Sequence, residues 1–288
     1  PPACAPSTGK KVAVLGGGPG GLSAAYYLQL MGHQATVYEM LPKLGGMLRY
    51  GIPNYRLPKD RLDQDINAIL KTGVEVKHGL KIGVDVTIQE LREQYDAVLI
   101  TIGASTDKKL GLEGEDADGV YSAVQFLRNV GKEQILDLTG KQVAVIGGGA
   151  VGLDVVEFFA PRGAQVSIVE MLPAIGNGID PVSKIGTFAL MDRYNVRQMP
   201  KTALREVRKD SFLVDTPKGE EILPFDYGFV CLGMKSAAPA FPEIQEAFCD
   251  NDEVEILSVG DSVRARRIIE GIDEGRNILY TLEKRGYL

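Results

Sequence analysis

The chain has little of what many enzymes depend on. Of its 288 residues only three are cysteine, Cys4, Cys231 and Cys249, and no two form a C-x-x-C pair. That spacing offers neither a redox-active dithiol nor the ligands of a zinc or iron–sulfur site, so no metal is expected. Cys231 sits in the apolar run Phe229-Val-Cys-Leu and reads as a small buried hydrophobe. Histidine is scarcer still, with His33 and His78 alone, which argues against a His-based metal centre or a triad. His33 follows Gly32 at a helix-to-strand turn, where a structural role is expected. No long Lys/Arg run occurs and the net charge is −6, so nucleic acid is a poor candidate partner. No apolar stretch approaches 18 residues and no signal peptide is evident, so we expect a cytoplasmic protein without membrane insertion.

Glycine, by contrast, is abundant, with 34 residues, and it is patterned. Val12-Ala-Val-Leu-Gly16-Gly-Gly18-Pro-Gly-Gly21 is followed by Glu39, and Val143-Ala-Val-Ile-Gly147-Gly-Gly149-Ala-Val-Gly152 is followed by Glu170. In both copies the acid stands 18 positions past the last motif glycine, at the end of a second apolar run, and the copies are 131 residues apart. A lone G-x-G-x-x-G is a weak signal; two, each between a strand-like and a helix-like run, predict two dinucleotide sites. Gly16 and Gly147 permit the tight turn from strand to helix. Gly18 and Gly149 let backbone approach a pyrophosphate, and Gly21 and Gly152 let the helix pack on its strand. The helix N-terminus supplies N–H groups and dipole for the phosphate charge. Glu39 and Glu170 can each accept hydrogen bonds from a ribose.

The order of elements extends the duplication. The first half reads as strand 11–15, helix 19–31, strand 35–39, an irregular segment 44–59, helix 60–72, strand 75–78 and a buried strand over 95–103. A connection follows, with a helix over 121–130. The second half repeats strand 142–146, helix 150–160 and strand 165–169, then a helix over 183–194 and an antiparallel stretch over 203–223. Phe225-Asp-Tyr-Gly-Phe-Val-Cys-Leu-Gly233 echoes Tyr95 to Gly103. Glu255 to Asp261 reads as a last strand and 265–284 as a last helix. With no third glycine motif there, the chain is expected to return to its first domain. We therefore predict an α/β protein of two Rossmann-like domains with parallel sheets, one inserted into the other: 1–107 plus 240–288, and 108–239.

Gly45-Gly46-Met-Leu-Arg-Tyr-Gly-Ile-Pro53, followed by Arg56-Leu-Pro-Lys59, resembles the signature of the glutamate synthase small-subunit group of two-dinucleotide-binding-domain flavoproteins. The resemblance extends from Lys10 over nearly the whole chain. Val169 to Gly176 and Arg266 to Gly275 are also similar to the C-terminal modules of enoate- and dienoyl-CoA-type reductases. Neither the cysteine-rich iron–sulfur domain of the first group nor the flavin barrel of the second is present in these 288 residues.

The resemblance implies FAD in the discontinuous domain. It would lie on Gly16, Gly18, Pro19, Gly20, Gly21 and Glu39, with Gly45, Gly46 and Leu48 along the flavin side. Ile82 would meet the adenine by its backbone, Gly103 would also belong to the FAD site, and Gly260 and Asp261 would meet the ribityl and pyrophosphate region. Ile268 would start a helix whose N-terminus faces the flavin. Arg266 and Arg267 would either strengthen that helix end or form a solvated face. The inserted domain would hold the nicotinamide nucleotide through Gly147, Gly149, Ala150, Val151, Gly152, Glu170 and Gly233. Asp154 matches an acidic family position of structural character. A carboxylate at 170 suits the hydroxyls of NADH and repels the 2′-phosphate of NADPH, so NADH is expected, with NADPH possible through Arg193 or Arg197.

The implied activity is hydride transfer between NAD(P)H and FAD by an electron-transfer subunit of a hetero-oligomer. No side chain acts as catalytic acid or base, and electrons are exchanged with an iron–sulfur subunit or domain. Two alternatives remain at this point. One is a self-contained NAD(P)H oxidase or small-molecule reductase, which needs a third pocket; Arg49-Tyr50 and Tyr55-Arg56 could line one, although the resemblance favours them as flavin-side scaffold. The other is a non-catalytic nucleotide-binding scaffold.

Overall fold

The computed structural model describes residues 2–104, 106–131, 134–236, 246 and 257–284. The chain divides into two units, Pro1–Thr106 with Lys235–Leu288, and Asp107–Met234. The two-residue strands β5 (Thr106–Asp107) and β14 (Met234–Lys235) mark the two crossings.

The first unit is a five-stranded parallel sheet in the order β15-β4-β1-β2-β3. Its strands are β1 (Lys11–Leu15), β2 (Gln34–Glu39), β3 (Glu75–His78), β4 (Ala97–Ile100) and β15 (Leu257–Ser258). Alternation along β1 sorts its side chains. Val12 and Val14 pack with Leu22, Ala25 and Leu28 of helix α1 (Pro19–Leu30) and with Ile278, Leu279 and Leu282 of the last helix, Ile268–Lys284. Leu62 and Ile66 of α3 (Lys59–Leu70) join that layer. Ala13 and Leu15 face Leu91 of α4 (Ile88–Gln94) on the other side. Each fully buried Leu or Val removes enough apolar area from water to contribute about 2 kcal/mol. The helix pair is close: a Cβ on Gly275 would lie 2.4 Å from the Gly20 carbonyl oxygen.

The second unit repeats the plan as β6-β13-β7-β8-β9, again all parallel. The strands are β6 (Val120–Ser122), β7 (Gln142–Ile146), β8 (Gln165–Val169), β9 (Arg197–Met199) and β13 (Tyr227–Val230). Val143 and Val145 face α5 (Ala123–Gly131), α6 (Ala150–Phe159) and α7 (Pro181–Arg193), with Phe126, Phe158, Phe159 and Phe229 massed between the layers. Ala144 and Ile146 face a three-stranded antiparallel sheet, β10 (Ala203–Val207), β11 (Ser211–Thr216) and β12 (Gly219–Pro224), through Phe212, Val214 and Leu223.

Several boundaries differ from the sequence reading. The helix expected over 121–130 begins as strand β6, because Val120 to Ser122 pair with Gly228 to Val230. The strand expected over 95–103 runs only Ala97–Ile100. Thr101 ends it by turning its hydroxyl onto the carbonyls of Leu15 and Gly16, both at 2.9 Å. Helix α4 has no counterpart in the sequence reading, and a short helix α2 (Met47–Tyr50) interrupts the irregular segment. The last strand is Leu257–Ser258, and residues 255 and 256 lie outside the described residues. The last helix, α8, starts at Ile268 rather than 265. Unit boundaries fall at 106/107 and 234/235, against 107/108 and 239/240 from the sequence; 239 and 240 lie outside the described residues.

Candidate functional site

Each unit carries one cradle where its first strand turns into its first helix. Gly16 (φ 113°) and Gly147 (φ 106°) take a conformation that L side chains resist. A Cβ there would press to 2.5 Å from the carbonyl oxygen of Thr101 or of Cys231. A Cβ on Gly21 or Gly152 would lie 2.0 or 1.9 Å from the carbonyl oxygen of Gly16 or Gly147. Those four glycines are required by the fold itself. Gly18 and Gly149 are different. Both cap their helices in ordinary extended backbone, the nearest atom to a Cβ on Gly18 is 3.9 Å away, and Gly149 has nothing within 4 Å. The open space in front of a helix N-terminus is where a pyrophosphate fits, against N–H groups that have no partner one turn earlier.

The two acids expected at a ribose do more than the sequence indicated. Glu39 Oε2 accepts the Gly17 N–H at 2.9 Å, and its Oε1 accepts the Leu41 N–H at 2.8 Å. Glu170 repeats this with Gly148 at 2.7 Å and Leu172 at 2.8 Å. Both carboxylates are buried. Each oxygen keeps lone-pair capacity for a ribose hydroxyl, so a single group shapes the loop and presents the acceptor. The match extends onward: Gly45 N–H donates to Gly17 O, and Gly176 N–H to Gly148 O, both at 2.8 Å.

In the first unit a second loop closes on the cradle. Gly46 (φ 49°) comes so near that a Cβ on it would stand 2.9 Å from Gly18 Cα. Leu48, half-buried, packs against the apolar core beneath. Arg49 is buried, donating from Nε to the Leu44 carbonyl at 2.5 Å and from Nη2 to Asp63. Tyr50 is also buried, its hydroxyl taking the Lys43 N–H at 3.2 Å, and burial raises its phenol above the ordinary range. Lys59 Nζ donates to the Leu48 carbonyl at 2.8 Å and the Ile52 carbonyl at 2.5 Å. The sequence reading passed over Arg49 and Lys59 in this role, although both stand in the segment that carried the resemblance.

The remaining residues named from the sequence are placed as follows. Ile82 is half-buried in a bridge to Val86 beyond β3. Gly103 (φ 72°) and Gly233 (φ 83°) follow β4 and β13 with open space around them. Gly260 N–H donates to Glu274 Oε2 at 2.7 Å, and Asp261 Oδ1 accepts the Arg266 N–H at 2.9 Å. Burial raises the Asp261 carboxyl above its usual range, the Arg266 contact opposing it. Arg266 Nη2 reaches Glu274 at 2.5 Å, which ties α8 to the turn that carries Asp261. Arg267 is 80% exposed and pairs with Glu270 at 2.5 Å, the geometry of a solvated helix face. Ile268, at the start of α8, is exposed. Ala150 and Val151 open α6. In the second unit, Arg197 pairs with Glu221 at 2.6 Å and Arg193 lies over the Tyr194 ring. Cys231 is fully buried, with its thiol pushed well up by desolvation, and Cys249 lies outside the described residues. Among the described residues no cluster of three His, Cys, Asp or Glu could hold a metal ion, and no helix is long and apolar enough to cross a membrane.

Comparison with known proteins agrees with this doubled geometry. Residues 10–256 match the family model described as pyridine nucleotide-disulphide oxidoreductase. The beta subunit of NADP(+)-dependent formate dehydrogenase from Moorella thermoacetica is 45% identical over 161 residues, 55% of this chain and 23% of that protein. The small chain of glutamate synthase [NADPH] from Bacillus subtilis (strain 168) is 42% identical over 158 residues, 52% of this chain and 32% of that protein. The matched stretches are thus a third or less of either relative. Among solved structures, 2-naphthoyl-CoA reductase in complex with 2-naphthoyl-CoA superimposes with a TM-score of 0.80 at 23% identity, over 96% of this chain and 40% of that one, a likeness of fold.

Proposed function

From the premise that this chain belongs to the pyridine nucleotide-disulphide oxidoreductase family, we propose that it is an FAD-dependent oxidoreductase of pyridine nucleotides working as an electron-transfer subunit. The observation that carries the reading is the doubled cradle: two helix N-termini, each with an open glycine and a carboxylate already fixed on the loop by two N–H bonds. In the first unit Gly18, Gly20 and Gly21 would face the pyrophosphate of FAD, Glu39 its adenosine ribose, and Gly45 and Gly46 its flavin side. Gly260 and Asp261 would meet the ribityl chain. In the second, Gly149, Ala150 and Val151 would face the nicotinamide nucleotide and Glu170 its ribose.

A bound flavin supplies two-electron chemistry toward a nicotinamide and one-electron chemistry toward a metal-centre partner. The protein's share is binding and alignment, since hydride transfer between two held rings gains mainly from proximity. That division suits a site without a C-x-x-C dithiol or a catalytic histidine.

NADH is the proposed substrate of the second unit. Glu170 would present its carboxylate to the ribose, Arg197 is engaged by Glu221, and Arg193 lies on Tyr194. The partner is proposed to be an iron–sulfur subunit or domain in a hetero-oligomer; the two relatives carry "subunit" and "small chain" in their names. Because those names also carry NADP(+) and NADPH, the test uses both nucleotides. FAD-loaded protein is mixed anaerobically with NADH or NADPH while the oxidised flavin absorbance is followed. Rapid bleaching by NADH alone is expected. Preferential bleaching by NADPH overturns the nucleotide choice, and bleaching by neither overturns the oxidoreductase reading.

A further inference from the structure

The loop over the first cradle is fastened by two cations, Arg49 buried and Lys59 half-buried, and only Arg49 is paired with a carboxylate. Arg49 is matched by Asp63. Lys59 is matched by two neutral carbonyls, of Leu48 and Ile52. The charge that acts on it is the Arg49 guanidinium of α2, itself paired with Asp63 of α3. Among the described residues no carboxylate forms an ion pair with the Lys59 ammonium, in the loop that presses Gly46 onto Gly18. Burying such a group costs free energy unless an anion is supplied. Burial first, and the Arg49 guanidinium second, lower the Lys59 ammonium to about 8.

We propose that Lys59 is a positioning residue for the dinucleotide of the first unit: by holding the Leu48 and Ile52 carbonyls, its ammonium keeps the Gly45–Gly46 turn against Gly18. This rests on the assignment of FAD to that unit. An ammonium holds the two carbonyls more strongly than a neutral amine would, so a cofactor that needs this loop in place and the proton on Lys59 favour one another. The sign follows from linkage. A cofactor that prefers the protonated lysine raises its pKa on binding, and affinity then falls as pH rises above the value of the free protein.

The test is the FAD dissociation constant of the full chain, read from flavin fluorescence between pH 6.5 and 9.5, for the wild type, Lys59→Met and Lys59→Arg. Wild-type affinity is expected to fall about tenfold as pH rises from below to above 8, a factor that matches one pKa unit of coupling. Lys59→Met should bind about tenfold more weakly at pH 7 and show no inflection. Lys59→Arg, which stays charged throughout this range, should keep tight binding and lose the inflection. NADH binding, titrated on the same samples, should be unchanged in both variants. Wild-type affinity and an unaltered pH profile in Lys59→Met overturn the inference. If Lys59→Met loses both nucleotides through misfolding, the wild-type profile and Lys59→Arg decide instead, and a persistent inflection in Lys59→Arg overturns it. Absence of FAD binding by the wild type at pH 7 is a separate result, and it removes the assignment beneath the inference.

Discussion

Glu39 and Glu170, 131 positions apart, use their carboxylates identically: one oxygen holds the middle glycine of the phosphate loop and the other holds the N–H two residues ahead. An acid so placed cannot be altered without also altering the glycine loop it holds. If each carboxylate meets the ribose as proposed, its loss should weaken binding more than one missing hydroxyl contact would, because the loop beneath changes too.

Glu170→Gln tests this most directly. The amide keeps one acceptor oxygen and places an NH2 against the N–H of either Gly148 or Leu172. We expect NADH affinity to fall by about ten- to a hundredfold, the range for losing one charge-assisted hydrogen bond and setting two donors face to face. Glu39→Gln should do the same to FAD and leave NADH binding unchanged. Calorimetric titration of each nucleotide reads both effects. An unchanged NADH constant in Glu170→Gln would remove this acid from the ribose.

Gly149 and Gly152 separate folding from binding. Gly152→Ala puts a methyl 1.9 Å from the Gly147 carbonyl oxygen, so helix and strand must part, and a loss of about 3 kcal/mol in stability is expected. Gly149→Ala meets nothing within 4 Å and keeps an extended backbone. Its unfolding free energy from urea titration should stay within about 0.5 kcal/mol of wild type, while the methyl fills the space proposed for the pyrophosphate and abolishes NADH-dependent flavin bleaching. Normal bleaching by Gly149→Ala would place the nucleotide elsewhere.

The glycine motifs and their acids were legible in the sequence because they answer to backbone geometry, which is local and residue-specific. The Glu39–Gly17 bond was not, since it depends on the parallel register that sets Leu15 opposite Tyr38, and register is a tertiary property. Helix α4 did leave a local sign. Thr87-Ile-Gln-Glu90 is a capping box whose two reciprocal bonds form as such a box should, but seven residues between strand-like runs read as a connection. Strand β6 left none: three residues before a helix become a strand only by pairing with β13. The carbonyls that Arg49 and Lys59 hold were not legible for a related reason. Cations in a loop suggest solvent, and only the folded loop reveals the carbonyls they hold.

Thiol chemistry should separate the two described cysteines. Cys4 is exposed, whereas Cys231 lies under the second cradle with its thiol pushed up by burial and by the nearby Asp154 and Asp107 carboxylates. The thiolate is the reactive form. At pH 8 an alkylating reagent is expected to modify Cys4 within minutes and Cys231 only in denaturant, a pattern that peptide mass analysis reads. Rapid native labelling of Cys231 would mean that the second unit opens readily around β13.

His33 gives the fold an acid limit. Its ring is buried, and Nδ1 lies 2.7 Å from the Thr8 hydroxyl, which fastens the N-terminal segment beneath the turn after α1. Thr8 N–H also donates to the Gly32 carbonyl at 3.0 Å, and the Pro6 carbonyl lies so close to Gly32 that a Cβ there would stand 2.1 Å from it. Desolvation lowers the imidazole below its ordinary value, and the Glu283 carboxylate only partly opposes that. The folded protein therefore holds His33 neutral at a pH where the unfolded chain already binds a proton. More protons bound in the unfolded state means that stability rises with pH. The contribution is complete above about 6.5, the value for an unperturbed histidine, and is lost as pH falls from there through the folded-state value. Urea unfolding at pH 7.5 and pH 5.5 should show a lower midpoint at the acid value. His33→Gln, which keeps a hydrogen-bonding group and cannot titrate, should flatten the part of that slope due to His33. An equal pH dependence in His33→Gln would assign the acid sensitivity to other groups.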